Sequence, residues 1–180
     1  MTSEIAERYG EGLFALAKEE NTVSSWKDQV TAILSAMEEN DDLHLFFQAV
    51  KISKEEKRDF IDKVFKDADK DIRNFMKLVI DKGRSYYMQE IFESYEKRAN
   101  EELGIQKAVV TSARKLSEED MQRIKETLAK KTGKTIVLTN KVDPSVIAGI
   151  KVTVGNNVTD ITMSTRIEQL RNALLKGGQA

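Results

Sequence analysis

The chain has 180 residues, of which 29 are Lys or Arg and 30 Asp or Glu, with no cysteine and one histidine, His44. That composition excludes a disulfide scaffold, a thiol nucleophile and every cysteine-ligated metal site, while 40% hydrophobic and 33% charged residues with one proline suit a helix-rich soluble protein. The net charge of −1 hides a division, because residues up to Gly104 carry 16 basic and 23 acidic groups (−7) and residues from Ile105 onward carry 13 and 7 (+6). A reversal at one point predicts two domains, 1–104 and 105–180, with different partners.

The first 104 residues read as successive amphipathic helices. Ile5, Tyr9, Leu13, Leu16 and Ala17 recur at three- and four-residue spacing, and after a break at Asn21 to Ser25 so do Trp26, Val30, Ile33, Leu34 and Met37. A short segment holds Leu43, Phe46, Phe47 and Val50. Ser53 and Glu56 then form a capping-box pair ahead of Phe60, Ile61, Val64 and Phe65. Ile72, Phe75, Met76, Val79 and Ile80 make the fifth stripe, which ends at Gly83 in the position of a left-handed cap. Met88, Ile91, Phe92, Tyr95, Ala99 and Leu103 make the sixth, ending at Gly104. Short links between such helices predict a compact bundle.

The periodicity changes at Ile105. Ile105 to Ala113 predicts a strand, Ser117 onward a helix with Met121, Ile124 and Leu128 inward and Gly133 closing it, and Thr135 to Val142 a second strand. Asp143, Pro144 and Ser145 predict a turn; Val146 to Val154 and Val158 to Met163 predict a hairpin about Gly155, Asn156 and Asn157. A terminal helix is expected through Ile167, Leu170 and Leu174. The second unit is then a small α+β domain, short enough to lean on a partner.

No catalytic constellation assembles from these residues. Gly133-Lys134-Thr135 has the tail of a phosphate-binding loop but lacks its first glycine, with Leu128 in that place, and runs from helix to strand rather than strand to helix. Asp67, Asp69 and Asp71 have calcium-loop spacing, but Ile72 and Leu78 stand where the loop needs Gly and Glu, so an acidic helix entry is the better reading. His44 has no second ligand to share a metal. The carboxylate pairs Glu19-Glu20, Glu38-Glu39 and Glu55-Glu56 lie on polar helix faces. Asn157-Val158-Thr159 fits the glycosylation pattern, but the N-terminus has no signal-peptide character and no apolar run is long enough to span a bilayer, so a cytosolic or peripheral protein is expected. The basic second unit could bind RNA through phosphates, yet no aromatic residue follows Tyr95 to stack on bases. An acidic protein partner accounts for the same charge, and the whole has the outline of an adaptor.

Four stretches carry a resemblance. They are Arg8 to Ala17 (RYGEGLFALA), Asn74 to Arg84 (NFMKLVIDKGR), Val109 to Ala113 leading to Leu116-Ser117, and Val142 to Ile150 (VDPSVIAGI). In order and spacing the chain resembles the delta subunit of bacterial rotary ATP synthases, the counterpart of the mitochondrial oligomycin-sensitivity-conferring protein. Local departures are Ala148 in place of a second glycine, and Ile161-Thr162-Met163-Ser164 where the family usually has Gly-Ser and a basic residue two positions further on.

The resemblance implies a six-helix bundle at 1–104 followed by a small α+β domain at 105–180, no active site, no cofactor and no metal. It implies that helices one and five form a groove for the N-terminal amphipathic helix of a catalytic-head α subunit. Carried over, the groove residues are Tyr9, Gly12, Leu13 and Leu16 of helix one and Phe75, Leu78, Val79 and Lys82 of helix five. Gly12 either admits the incoming backbone or packs closely within the bundle. The −7 of this domain would favour a basic helical ligand. The C-terminal domain would hold the b-subunit stalk, making the protein a stator subunit, one copy per complex, peripheral to the cytoplasmic face of the cell membrane. An RNA-binding module with a helical regulator is the alternative.

Overall fold

A computed structural model describes residues 3–155, 157–163, 165 and 167, and among them the chain forms seven α-helices and a four-stranded mixed sheet. It divides into two compact units, Met1–Leu103 and Gly104–Ala180. Among the described residues no helix is long and apolar enough to cross a membrane.

The first unit contains α1 (Glu4–Glu19), α2 (Val23–Glu39), α3 (Asp41–Gln48), α4 (Lys54–Val64), α5 (Lys70–Asp81) and α6 (Met88–Glu102). Their ends follow from capping chemistry. The Ser3 hydroxyl accepts from the Ala6 amide at 3.1 Å, and Ser53 and Glu56 satisfy each other's backbone amides in the expected capping box. The Asp69 carboxylate caps α5 by accepting from the Asp71 amide at 2.8 Å, the helix-entry role expected of that acidic run. At the other end of α5, Gly83 takes φ +68°; its amide donates to Ile80 and that of Arg84 to Val79, which closes the last carbonyls and turns the chain sharply.

Helix α6 is the spine. It packs against α1 and α2, and buries Met88, Ile91, Phe92, Tyr95 and Ala99 together with Leu13, Trp26, Val30, Ile72, Met76 and Val79. The Tyr95 hydroxyl donates to the Val23 carbonyl, and burial pushes its pKa well above the ordinary phenol value. Val50 is 97% exposed because α3 stops at Gln48, and Val64 on the last turn of α4 is half exposed, so neither belongs to the core.

The second unit contains β1 (Ile105–Ser112), α7 (Glu118–Thr132), β2 (Thr135–Val142), β3 (Ile150–Val154) and β4 (Asn157–Asp160). The sheet order is β2-β1-β3-β4, with β1 and β2 parallel around the α7 crossover and the other pairs antiparallel. β1 alternates strictly, Ala108, Val110 and Ser112 being buried and Val109 between them exposed. Helix α7 lies on the buried face, but Met121, Ile124 and Leu128 are only half-buried rather than fully inward.

The strand expected from Val146 starts later, at Ile150. Pro144 has no amide to give a ladder, the Asp143 carboxylate caps a 3-10 turn over Pro144–Val146, and Ile147 at φ +63° lets the Ala148 amide reach back to the Val146 carbonyl. Gly149 follows at φ +87°, where a Cβ would overlap the Ile161 carbonyl oxygen. β4 is likewise shorter than expected, ending at Asp160, whose carboxylate turns back to accept from the Thr162 amide and hydroxyl. Of the expected terminal helix, Leu170 and Leu174 lie outside the described residues.

Candidate partner-binding groove

One side of α1 is committed to α6. The Ser3 amide donates to Glu90, Ser94 and Arg98 both donate to the Glu7 carboxylate, and Gly10 sits against Ser94. A Cβ on Gly10 would fall 2.6 Å from the Ser94 Cβ and 2.9 Å from the Ile91 carbonyl oxygen, so close helix approach requires glycine at this position. Gly12 is different: a Cβ there would meet nothing within 4 Å. The close-packing role considered for Gly12 belongs to Gly10.

The other side of α1 borders an open groove of about 530 Å³ shared with α5, lined by Ile5, Arg8, Tyr9, Gly12, Leu16, Phe75, Leu78 and Arg84. Tyr9 and Phe75 meet edge to face across it, with ring centroids 6.5 Å apart and planes at 65°. Leu16 and Leu78 are 38% and 47% exposed, an uncommon degree for two leucines on adjacent helices. Five sequence-predicted residues, Tyr9, Gly12, Leu16, Phe75 and Leu78, therefore share one cleft.

The remaining three do not line it. Leu13 and Val79 are fully buried in the core. Lys82 is the C-cap of α5 and lies outside the lining. Sequence reasoning missed Ile5, Arg8 and Arg84. Ile5 and Arg8 sit four residues before Tyr9 and Gly12, so the helical period could have found them. Arg84 is brought round only by the left-handed turn at Gly83.

The electrostatic expectation also changes locally. The charged residues lining the groove are Arg8 and Arg84, although the unit as a whole is acidic. Part of its negative charge is engaged elsewhere: Glu7 with Arg98, Asp81 with Arg58, and Asp62 with Lys77 at 2.6 Å and Arg73 at 3.7 Å. The Lys77 ammonium holds the Asp62 carboxyl below the usual range. A carboxylate on an incoming helix, rather than a cation, would find its complement at this rim.

Among the described residues no group of three or more His, Asp or Glu is placed to hold a metal. His44 sits 2.5 Å from the Gln48 amide on the same helix. Gly133 is a left-handed cap on α7, as its position between helix and strand demanded.

Comparison with known proteins agrees with the resemblance. Residues 5–174 match the family model described as ATP synthase delta (OSCP) subunit. Among curated relatives, the ATP synthase subunit delta of Syntrophomonas wolfei is 33% identical over 97% of this chain and 96% of its own length. That of Bacillus mycoides is 35% identical over 96% of each. A chain of the Toxoplasma gondii mitochondrial ATP synthase hexamer superposes with a TM-score of 0.79 over 96% of this chain and 98% of its own, at 18% identity, which supports the fold. With whole-length relatives above 30% identity and a family model spanning nearly all of it, the chain belongs to the ATP synthase delta (OSCP) subunit family.

Proposed function

We propose that the protein is the non-catalytic peripheral-stalk subunit of a rotary ATP synthase. Its six N-terminal helices act as a bundle that holds the N-terminal helix of a catalytic-head α subunit, and its second unit holds the membrane-anchored b subunits. The observation that carries the reading is the α1/α5 groove, in which Gly12 faces open space and two exposed leucines flank a half-buried aromatic pair. Such a cleft suits helix-in-groove recognition, where an apolar stripe at i, i+3 and i+4 supplies the anchors. Gly12 supports this strongly, since glycine inside a helix costs about 1 kcal/mol relative to alanine and no intramolecular contact here requires it.

Function then follows from connectivity. As the central rotor turns, torque on the head changes its catalytic sites only if the head is kept from spinning with the rotor. Two tight contacts and a stiff body between them are sufficient, and no group of this chain needs to react. The protein would be one copy per complex, at the cytoplasmic face of the membrane. Family membership gives no support to the RNA-binding alternative.

Reconstitution tests the proposal. Membranes stripped of this subunit should lose ion-driven ATP synthesis while the detached head still hydrolyses ATP, and adding the wild-type chain should restore coupling. Gly12→Leu, which fills the cleft without disturbing the core, should need at least tenfold more protein, about 1.4 kcal/mol. Unimpaired coupled synthesis without the subunit would sink the role; full potency of Gly12→Leu would sink the groove.

A further inference from the structure

Residues up to Gly104 include 23 acidic and 16 basic side chains, so a carboxylate is seldom far from an arginine of the first unit. Three of its five arginines are paired with one: Arg58 meets Asp81 at 3.5 Å, Arg73 meets Asp62 at 3.7 Å, and Arg98 meets Glu7 at 3.2 Å. The other two are Arg8 and Arg84. Both are exposed, neither guanidinium has an ion-pair or hydrogen-bond partner among the described residues, and both line the groove between α1 and α5. The carboxylates nearest to them in sequence are engaged elsewhere, Glu7 and Glu11 with Arg98 and Asp81 with Arg58.

The two arginines belong to one end of the groove. Helices α1 and α6 run in the same direction, with Ser3 meeting Glu90, Glu7 meeting Ser94, and Lys18 pairing with Glu102 at 2.8 Å. Arg84 is joined to Met88, the first residue of α6, by the 3-10 turn Ser85–Tyr87, so it stands at the end of the unit where α1 begins. Arg8 lies in the second turn of α1, whereas Gly12 and Leu16 continue the lining toward the far end of that helix. From Arg8 to Leu16 the helix advances about 12 Å. The groove is thus cationic at one end and apolar along its length, through Ile5, Tyr9, Leu16, Phe75 and Leu78.

We propose that Arg8 and Arg84 determine which helix the groove accepts, by pairing with an acidic side chain at one end of an amphipathic helix whose apolar stripe fills the remainder. The proposal rests on the reading of the groove as the site for a catalytic-head helix and adds the chemistry that this helix must carry. A helix laid between α1 and α5 takes both guanidinium groups partly out of water. A purely apolar ligand leaves them desolvated and unpaired, and a ligand with lysine or arginine at that end adds a third cation. A carboxylate instead accepts parallel hydrogen bonds from the planar guanidinium fork. Because the cations stand at one end only, the acidic residue also fixes direction and register: it lies about two turns from the apolar side chain that covers Leu16. The −7 of the whole unit opposes an acidic ligand at long range, so this pairing acts at contact distance, inside the screening length of about 8 Å at physiological salt.

The test is calorimetric titration of the full chain with a synthetic peptide of the N-terminal helix of the α subunit of the same ATP synthase. Arg8→Glu combined with Arg84→Glu should weaken binding about tenfold or more, and Arg8→Gln combined with Arg84→Gln should weaken it less and flatten its salt dependence. Lysine in place of an acidic residue of the peptide should weaken binding to the wild-type chain and restore binding to the double reversal, an exchange that a merely structural role of the arginines would not produce. Both arginines are exposed and outside the core, so the variants should unfold in urea as the wild type does. Gly12→Leu keeps the two possible failures apart. Binding of both double variants within twofold of wild type, with Gly12→Leu weakened, would overturn the role of the arginines and leave the groove standing. Weakening by the double reversal that no charge-exchanged peptide restores would overturn the carboxylate pairing. No binding by the wild-type chain, or full binding by Gly12→Leu, would overturn the groove and the proposal with it.

Discussion

The two units solve the same problem with unequal means. The helical unit encloses a continuous core of large side chains, Trp26, Phe92, Tyr95, Leu13 and Met76 among them, around the spine of α6. The second unit, among its described residues, fully buries only Ala108, Val110, Ile136 and Val146 of its hydrophobic side chains, and α7 buries none. Burial stabilises by about 25 cal/mol per Å² of apolar surface against a backbone entropy cost of about 1–2 kcal/mol per residue. The first unit meets that cost internally. Among its described residues the second has less with which to meet it.

The sharpest way to break this comparison is inside α1, where two glycines two residues apart serve opposite ends. Gly10→Val should have the largest effect, a loss of about 2–3 kcal/mol, because its Cβ meets both the Ser94 side chain and the Ile91 backbone and α1 must lift from α6. Urea unfolding followed through Trp26, buried in the same core, measures it; wild-type stability would mean that the first unit is less tightly packed than described. Gly12→Ala should move the other way, gaining about 0.5–1 kcal/mol from helix propensity with no clash. A loss there would show that Gly12 packs within the unit after all.

Lys57 sharpens the comparison more gently. It is 5% exposed, and its ammonium donates to the Phe47 carbonyl at 2.8 Å and the Ser85 hydroxyl at 3.0 Å, tying α4 to the end of α3 and the turn before α6. Burial lowers its pKa below the ordinary lysine value of 10.5, so the unfolded chain binds the proton more tightly than the folded one. Stability should therefore rise with pH between the lowered folded value and 10.5, as the cost of the buried charge is relieved. Lys57→Met should remove that rise, the smallest of the three effects, in thermal unfolding at stepped alkaline pH. An unchanged slope would place its origin in another group.

Much of this was legible along the chain. The capping box at Ser53 and Glu56, the left-handed turn at Gly83 and the strand over Thr135–Val142 were readable because each depends on residues close in sequence. The start of β3 was not, since Val146 and Ile147 have strand-like side chains and only the Asp143 cap and Pro144 hold them in turns. In the groove, the resemblance carries over Leu13 and Val79 beside Tyr9, Leu16 and Leu78, and only the packing of α1 and α5 shows that these two lie in the core. Net charge misled in the same way: an average of −7 said nothing about Arg8 and Arg84 meeting at one rim.

By itself the sequence determined the kind of most described elements and, through four motifs spread along the chain, the family. Only the tertiary structure decided that Gly10 closes a helix contact while Gly12 borders a cleft. The reason is that periodicity defines which side of an element is apolar, whereas burial depends on which other element arrives at that side. Tyr9 and Phe75 lie 66 residues apart, and nothing local to either could say that they would meet.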